Sequence, residues 1–174
     1  MPLIHLIAFE LVWFSSVIGA AHGLPWLGPV ATLPLVAWHL TGVRNPAREM
    51  GVLLAAMLLG SLLDELITAS GLVRYPSAPH AAVIPFWIVT LWLAFATTLN
   101  TSLRWLQKRL LLAAVLGALG APLAYLSATR LGAVQLPQLW LAVATVSVAW
   151  ALLLPLLCLM AERFASLPKK VSHG

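Results

Sequence analysis

Apolar runs, each long enough to cross roughly 30 Å of hydrocarbon, recur along nearly the whole chain. A spanning helix rises about 1.5 Å per residue and so needs roughly 20 such residues. In a chain of 174 residues these runs leave little sequence for a soluble domain. The sequence therefore predicts an all-α fold, a polytopic transmembrane helix bundle forming one domain over 1–174. Six spans are expected, at about 2–21, 24–41, 50–73, 85–106, 110–134 and 137–164. An outer-membrane barrel would alternate apolar and polar residues in segments of about ten, and no segment does so.

Basic residues set the expected threading. Arg44 and Arg48 follow span two, Arg104, Lys108 and Arg109 end span four, and Arg163, Lys169 and Lys170 follow span six. The opposite side carries Arg74 and Arg130. The positive-inside rule makes the richer side cytoplasmic, with both termini there. A multi-pass protein of the bacterial inner (cytoplasmic) membrane is the expected localisation. The formal charge of +5 is explained by this asymmetry and by attraction to anionic headgroups, since the basic residues cluster at span ends; no nucleic-acid partner is expected. Trp26, Trp87, Trp140, Trp38 and Trp105 fall near span ends, as interfacial rings do, whereas Trp13, Trp92 and Trp150 fall deeper.

The first span lacks a basic start and carries Glu10 in its apolar centre, so it reads as a permanent helix and not a cleaved signal. The lone Cys158 has no partner for an internal disulfide and reads as a small apolar filler. No CxxC, HExxH or phosphate-loop pattern occurs, and neither a metal nor a cofactor is expected.

Between helices in lipid, small residues permit close contact. Span three offers Ala56, Gly60 and Asp64 on one face, so Asp64 is expected to point at another helix; Glu65 is turned about 100° from it. Span five offers Ala113, Gly117 and Ala121 on one seam and Gly120, Ala124 and Ala128 on the next, which suggests a central helix. Span four is rich in hydroxyls at Thr90, Thr97, Thr98 and Thr101, beside Asn100. Prolines at Pro29, Pro34, Pro122 and Pro155 interrupt the backbone ladders. A faint likeness between the Gly60 and Gly120 neighbourhoods does not amount to a repeat.

Charge at depth is the main functional signal, because a charged side chain at the bilayer centre costs about 2.5–3.5 kcal/mol and is retained for a reason. Asp64 and Glu65 lie roughly 20 Å from the cytoplasmic end of their span, near the heights of Tyr125 and Arg130. Either Arg130 pairs with one carboxyl as a structural clamp, or one of them is a buried acid that meets a substrate. Glu10, at the height of Asn100, is expected to share a hydrogen bond with it, as structural glue or in a polar pocket. Asp64, Glu65 and Glu10 are thus the candidate catalytic residues, with Asn100, Trp13, Trp92, Tyr125 and Arg130 as candidate binding residues. His22, His39 and His80 read as interfacial rings. The outer loop "YPSAPHAAVIP" reads as a connector, with a lid over the outer mouth as the alternative.

Three stretches, "WFSSVIGAAHGLPWLGP" from Trp13, "PFWIVTLWLAFATTLNTSLRWL" from Pro85 and "GAPLAYLSATRLGA" from Gly120, resemble the bacterial membrane-protein family known as domain of unknown function 2878. The resemblance implies an inner-membrane protein of Gram-negative bacteria. By association with fatty-acyl-modifying proteins, it points toward lipid chemistry. A looser similarity of plan to intramembrane isomerases and carotenoid cyclases would place Trp13 and Trp92 around a developing cation; the motifs of those families are absent.

Three functions follow as expectations. The leading one is a lipid-directed protein, an enzyme or helper subunit that modifies a fatty-acyl or isoprenoid chain through buried carboxyls. The others are a non-catalytic membrane scaffold and a small-molecule or proton-coupled transporter; the lack of a clear inverted repeat argues against the last. Membrane lipid is the expected partner, while other membrane or lipid-modifying proteins and further copies of the chain stay open.

Overall fold

The computed structural model describes residues 2–80 and 82–166; Lys169 and Lys170 lie outside them. Among the described residues the chain forms six α-helices: α1 (Pro2–Ala21), α2 (Leu27–Thr41), α3 (Pro46–Ala69), α4 (Phe86–Leu99), α5 (Leu110–Arg130) and α6 (Leu139–Ser166). No strand is formed among these residues. Four helices, α1, α3, α5 and α6, are long and apolar enough to cross a membrane. Their outward faces carry residues such as Leu58, Leu111 and Leu152, the second of them 82% exposed. Such surfaces suit hydrocarbon and not water, and the protein is a helical membrane protein. The other two helices are shorter, with 15 residues in α2 and 14 in α4, or about 22 and 21 Å.

Several boundaries differ from expectation, and two of them have reasons in local side-chain bonding. Helix α3 begins at Pro46, earlier than expected, because the Asn45 side chain accepts the Arg48 amide at 3.2 Å and Pro46 suits the first helical turn. Span four is expected to run to residue 106, but α4 stops at Leu99. The Thr97, Thr98 and Thr101 hydroxyls there donate to the carbonyls of Ala94, Phe95 and Thr97, a local competition that weakens the helix. Gln107 then donates to the freed Leu99 carbonyl at 3.0 Å. The chain continues through turns and the 3-10 helix Arg104–Leu106.

Helices α1, α3 and α5 each lead into a turn whose glycine is left-handed: Gly23 (φ 75°), Gly71 (φ 77°) and Gly132 (φ 90°). A side chain is strained in that conformation, which is why glycine closes these helices. The three turns define one end of the bundle, termed here the glycine end. After α3 and α5 the turns match in detail. Ser70 and Leu131 donate to Leu66 and Ser127, and Gly71 and Gly132 donate to Thr68 and Thr129. Arg74 and Gln135 then exchange backbone bonds of 2.9 and 2.8 Å. The segments "SGLVRYP" and "LGAVQLP" thus correspond, so the likeness lies at the turn glycines and not at Gly60 and Gly120. This paired link fixes the register of α3 against α5.

The central helix is α4, not α5. It packs against α1, α2, α3 and α6, and its Trp87, Trp92 and Leu99 are buried. Helix α5 packs principally on α6. Its seam of Ala113, Gly117 and Ala121 is buried, and a methyl added at Gly117 would lie 2.4 Å from the Trp150 carbonyl oxygen. Of the expected second seam Ala128 is buried, while Gly120 and Ala124 face a cleft. Trp87, expected at the interface, is 1% exposed and donates to Ser77 at 3.0 Å.

Candidate functional site

The cleft opens between α1 and α5, with α4, α3 and α6 contributing to its walls. Its volume is about 720 Å³, inside the range of roughly 300–1,000 Å³ of sites that enclose small molecules. Most of its lining is apolar or aromatic: Phe9, Trp13 and Phe14 from α1, Trp92 and Phe95 from α4, and Gly120 and Ala124 from the second seam of α5. Few polar groups reach it, among them Asp64, Tyr75, Tyr125, Glu10 and Arg130.

Asp64 is the most enclosed of these carboxyls, at 4% exposure. It sits about two helical turns before Gly71, as Tyr125 sits before Gly132. The Arg74–Gln135 link holds those turns together, so the two side chains are brought face to face. The Tyr125 hydroxyl donates to Asp64 Oδ1, and Trp92 Nε1 donates to Oδ2 at 2.7 Å. One carboxyl thus ties α3 to α4 and α5. Hydrogen bonds to a charged acceptor contribute about 1.5–3 kcal/mol each, and leaving a buried carboxyl unbonded would cost more. Tyr75, in the following loop, is buried beside the Asp64–Tyr125 pair and lines the same cleft. Burial first, and then the Asp64 charge, push the Tyr75 phenol well above its ordinary range, so it stays neutral.

The Arg130 clamp expected for Asp64 is not formed. Arg130 lies exposed at the glycine-end mouth of the cleft, and Asp64 draws its partners from neutral donors. Trp92 has its own commitments. An added methyl at Gly60 would fall 2.0 Å from its ring, and the ring stacks on Trp150 with centroids 4.9 Å apart and meets the edge of Phe95. The Trp92 ring is therefore a packing element that delivers an N–H to Asp64. Trp13 remains half-buried in the cleft wall.

Glu65 points away from this network: its Oε2 accepts the Ile84 amide at 2.9 Å and holds the end of the loop. With Tyr75 buried and Ser77 bonded to Trp87, that segment is a fastened connector.

Asn100 does not meet Glu10. Its Nδ2 donates to Glu49 Oε2 at 2.9 Å, and its Oδ1 accepts from Gln107 at 2.9 Å. Glu49 Oε1 in turn lies 2.9 Å from His39 Nε2, with His39 1% exposed. This second polar cluster joins α2, α3 and the end of α4, at the end of the bundle opposite the glycine turns. Sequence reasoning misses Glu49 and Gln107 here. The legible signal is the capped start of α3: a helix beginning at Pro46 brings Glu49 into its first turn, one side of which packs inward. Among the described residues no three His, Cys, Asp or Glu side chains converge as a metal site.

No curated protein and no solved structure matches the chain. The family model described as "Protein of unknown function (DUF2878)" matches residues 2–156, taking in the cleft, the Asp64 network and the His39–Glu49 cluster, and the chain belongs to that family.

Proposed function

We propose that this is a lipid-directed protein of the bacterial inner membrane, an enzyme or helper subunit that admits a fatty-acyl or isoprenoid chain between α1 and α5 and meets it with the Asp64–Tyr125 pair. The observation that carries the reading is an aromatic-walled cleft of about 720 Å³ with a hydrogen-bonded carboxyl in its lining. An apolar cleft on the membrane-facing side of a bundle is open to hydrocarbon without passage through water. Along α5 its lining runs from Leu116 to Leu131, about 22 Å, longer than the roughly 15 Å of one bilayer leaflet. That length suits an extended chain.

In this reading the chain crosses the bilayer six times with both termini cytoplasmic and the glycine end outward. The short α2 and α4 complete the crossings with the turns that flank them. Arg44, Arg48, Arg104, Lys108 and Arg109 support that orientation. The chemistry is assigned to Asp64 with Tyr125, which together can hold and pass one proton at the cleft wall. Glu65 is assigned to the loop, and Trp92 to orienting Asp64.

Asp64→Asn tests the assignment. The amide keeps an acceptor for Trp92 and can donate to Tyr125, so the variant should insert and stay folded. The lipid profile of cells carrying it should match that of cells lacking the gene. A wild-type profile with this variant, or no lipid difference on deletion, would refute the proposal.

A further inference from the structure

Glu10 is the carboxyl of the cleft that lies outside the Asp64 network. It is exposed, lies midway along α1 among the lipid-facing residues Ile7, Leu11 and Phe14, and has no hydrogen-bond or ion-pair partner among the described residues. An apolar residue would serve better there if the position only faced hydrocarbon or another helix. A structural role is unsupported, since nothing on α4 or α5 bonds to it.

What faces Glu10 across the cleft can be worked out from helix register. The ends of α1 and α5 are level, because a methyl added at Gly132 would lie 3.8 Å from the Ala21 side chain. Glu10 is about 16 Å below Ala21, and Gly120 is about 15 Å below Arg130. The two are therefore at the same depth, about 8 Å deeper than Asp64 lies below Ala69. Gly120 also differs from the other glycine on this wall. Gly117 is pressed against the Trp150 backbone, whereas a methyl at Gly120 would meet nothing within 4 Å. A carboxyl that lacks a partner thus stands at the depth of an open notch, with Arg130 at the mouth of the same cleft.

We propose that Glu10 and the Gly120 notch form a second polar subsite, which selects an anionic-headed hydrocarbon chain carrying a hydrogen-bond donor, such as a hydroxyl, at mid-chain. The head lies by Arg130, the chain passes the Asp64–Tyr125 pair, and the mid-chain hydroxyl donates to the Glu10 carboxyl. This rests on the cleft being a lipid site. Either protonation state of Glu10 offers an acceptor oxygen, and a lone acceptor in an apolar wall gives discrimination because the unsubstituted chain leaves it unbonded.

The test is competition for a fluorescent fatty acid bound to the purified protein in detergent, using ricinoleate and oleate, which differ by one mid-chain hydroxyl. Ricinoleate should displace the probe at roughly tenfold lower concentration, the factor that a single hydrogen bond to a charged group supplies. Glu10→Leu should erase that preference while oleate still competes, and should leave the melting temperature unchanged or raised. Gly120→Leu should weaken ricinoleate more than oleate. Equal displacement by the two acids in the wild type would overturn the subsite alone. Failure of both acids to displace the probe would overturn the lipid reading of the cleft and the subsite with it. A large loss of stability in Glu10→Leu would assign Glu10 to packing and also sink the proposal.

Discussion

Adding one methyl group at Gly60 should dismantle the Asp64 site. The new carbon would lie 2.0, 2.2 and 2.3 Å from three atoms of the Trp92 indole, where ordinary contact requires about 3.5–4.0 Å. The ring must therefore move by roughly 1.5–2 Å. It has little freedom to do so, being stacked on Trp150 and edged by Phe95. Any such movement also stretches the 2.7 Å bond from Trp92 to Asp64 beyond hydrogen-bonding range. Overpacking costs about 1–3 kcal/mol, and a lost hydrogen bond to a charged group about 1.5–3 kcal/mol more. Replacing glycine by alanine inside a helix returns about 1 kcal/mol.

Gly60→Ala should then destabilise the protein by about 2–5 kcal/mol, a fall in melting temperature on the order of 10 °C for a chain of this length. Thermal unfolding in mild detergent, followed by near-ultraviolet circular dichroism, reads both the midpoint and the coupled Trp92–Trp150 signal. Gly120→Ala is the internal control. It gains the same helical propensity with nothing within 4 Å to collide with, and it should be neutral or slightly stabilising. Trp92→Phe should partly rescue Gly60→Ala, because the smaller ring leaves room for the methyl and contacting residues couple energetically. A Gly60→Ala protein with wild-type midpoint and wild-type aromatic signal would refute the close packing on which the site depends.

Two further outcomes follow from other parts of the fold. Glu49→Ala removes the acceptor shared by His39 and Asn100 and should cost about 2–4 kcal/mol, because a buried and a half-buried donor lose their partner; an unchanged thermal midpoint would contradict it. Single cysteines placed at Arg44 and His80 in a Cys158→Ala background should label from opposite faces of the membrane, Arg44 from the cytoplasm; labelling of both from one face would overturn the proposed threading.

Much of the helical plan is local and is therefore legible in the sequence. Hydropathy and length place the helices, and the spacing of Ala56, Gly60 and Asp64 correctly puts Asp64 on a packed face. Charge suggests Arg130 for Asp64 and height suggests Asn100 for Glu10, but Arg130 lies exposed at the end of α5, and α4 stops at Leu99, which leaves Asn100 at the far end of the bundle. Asn100 turns instead to Glu49, whose position in the first turn of α3 depends on the Asn45 cap. Trp92, a candidate binding residue, lines the cleft and is also packed against Gly60 and Trp150. Small residues on α5 signal two close seams, and at Gly120 and Ala124 the second is the open wall of a cleft, because an unfilled notch and a packed contact have the same sequence signature.

What the chain determined by itself was membrane solubility, helical class, the glycine turns and the burial of its one deep Asp. These follow from side-chain transfer energies and backbone sterics, which act within a few residues. Only the tertiary arrangement decided that Asp64 meets Tyr125 and Trp92, that Glu10 faces a cavity and that α4 lies at the centre. Those contacts depend on the Arg74–Gln135 link and on which helix faces approach closely enough to exclude a side chain.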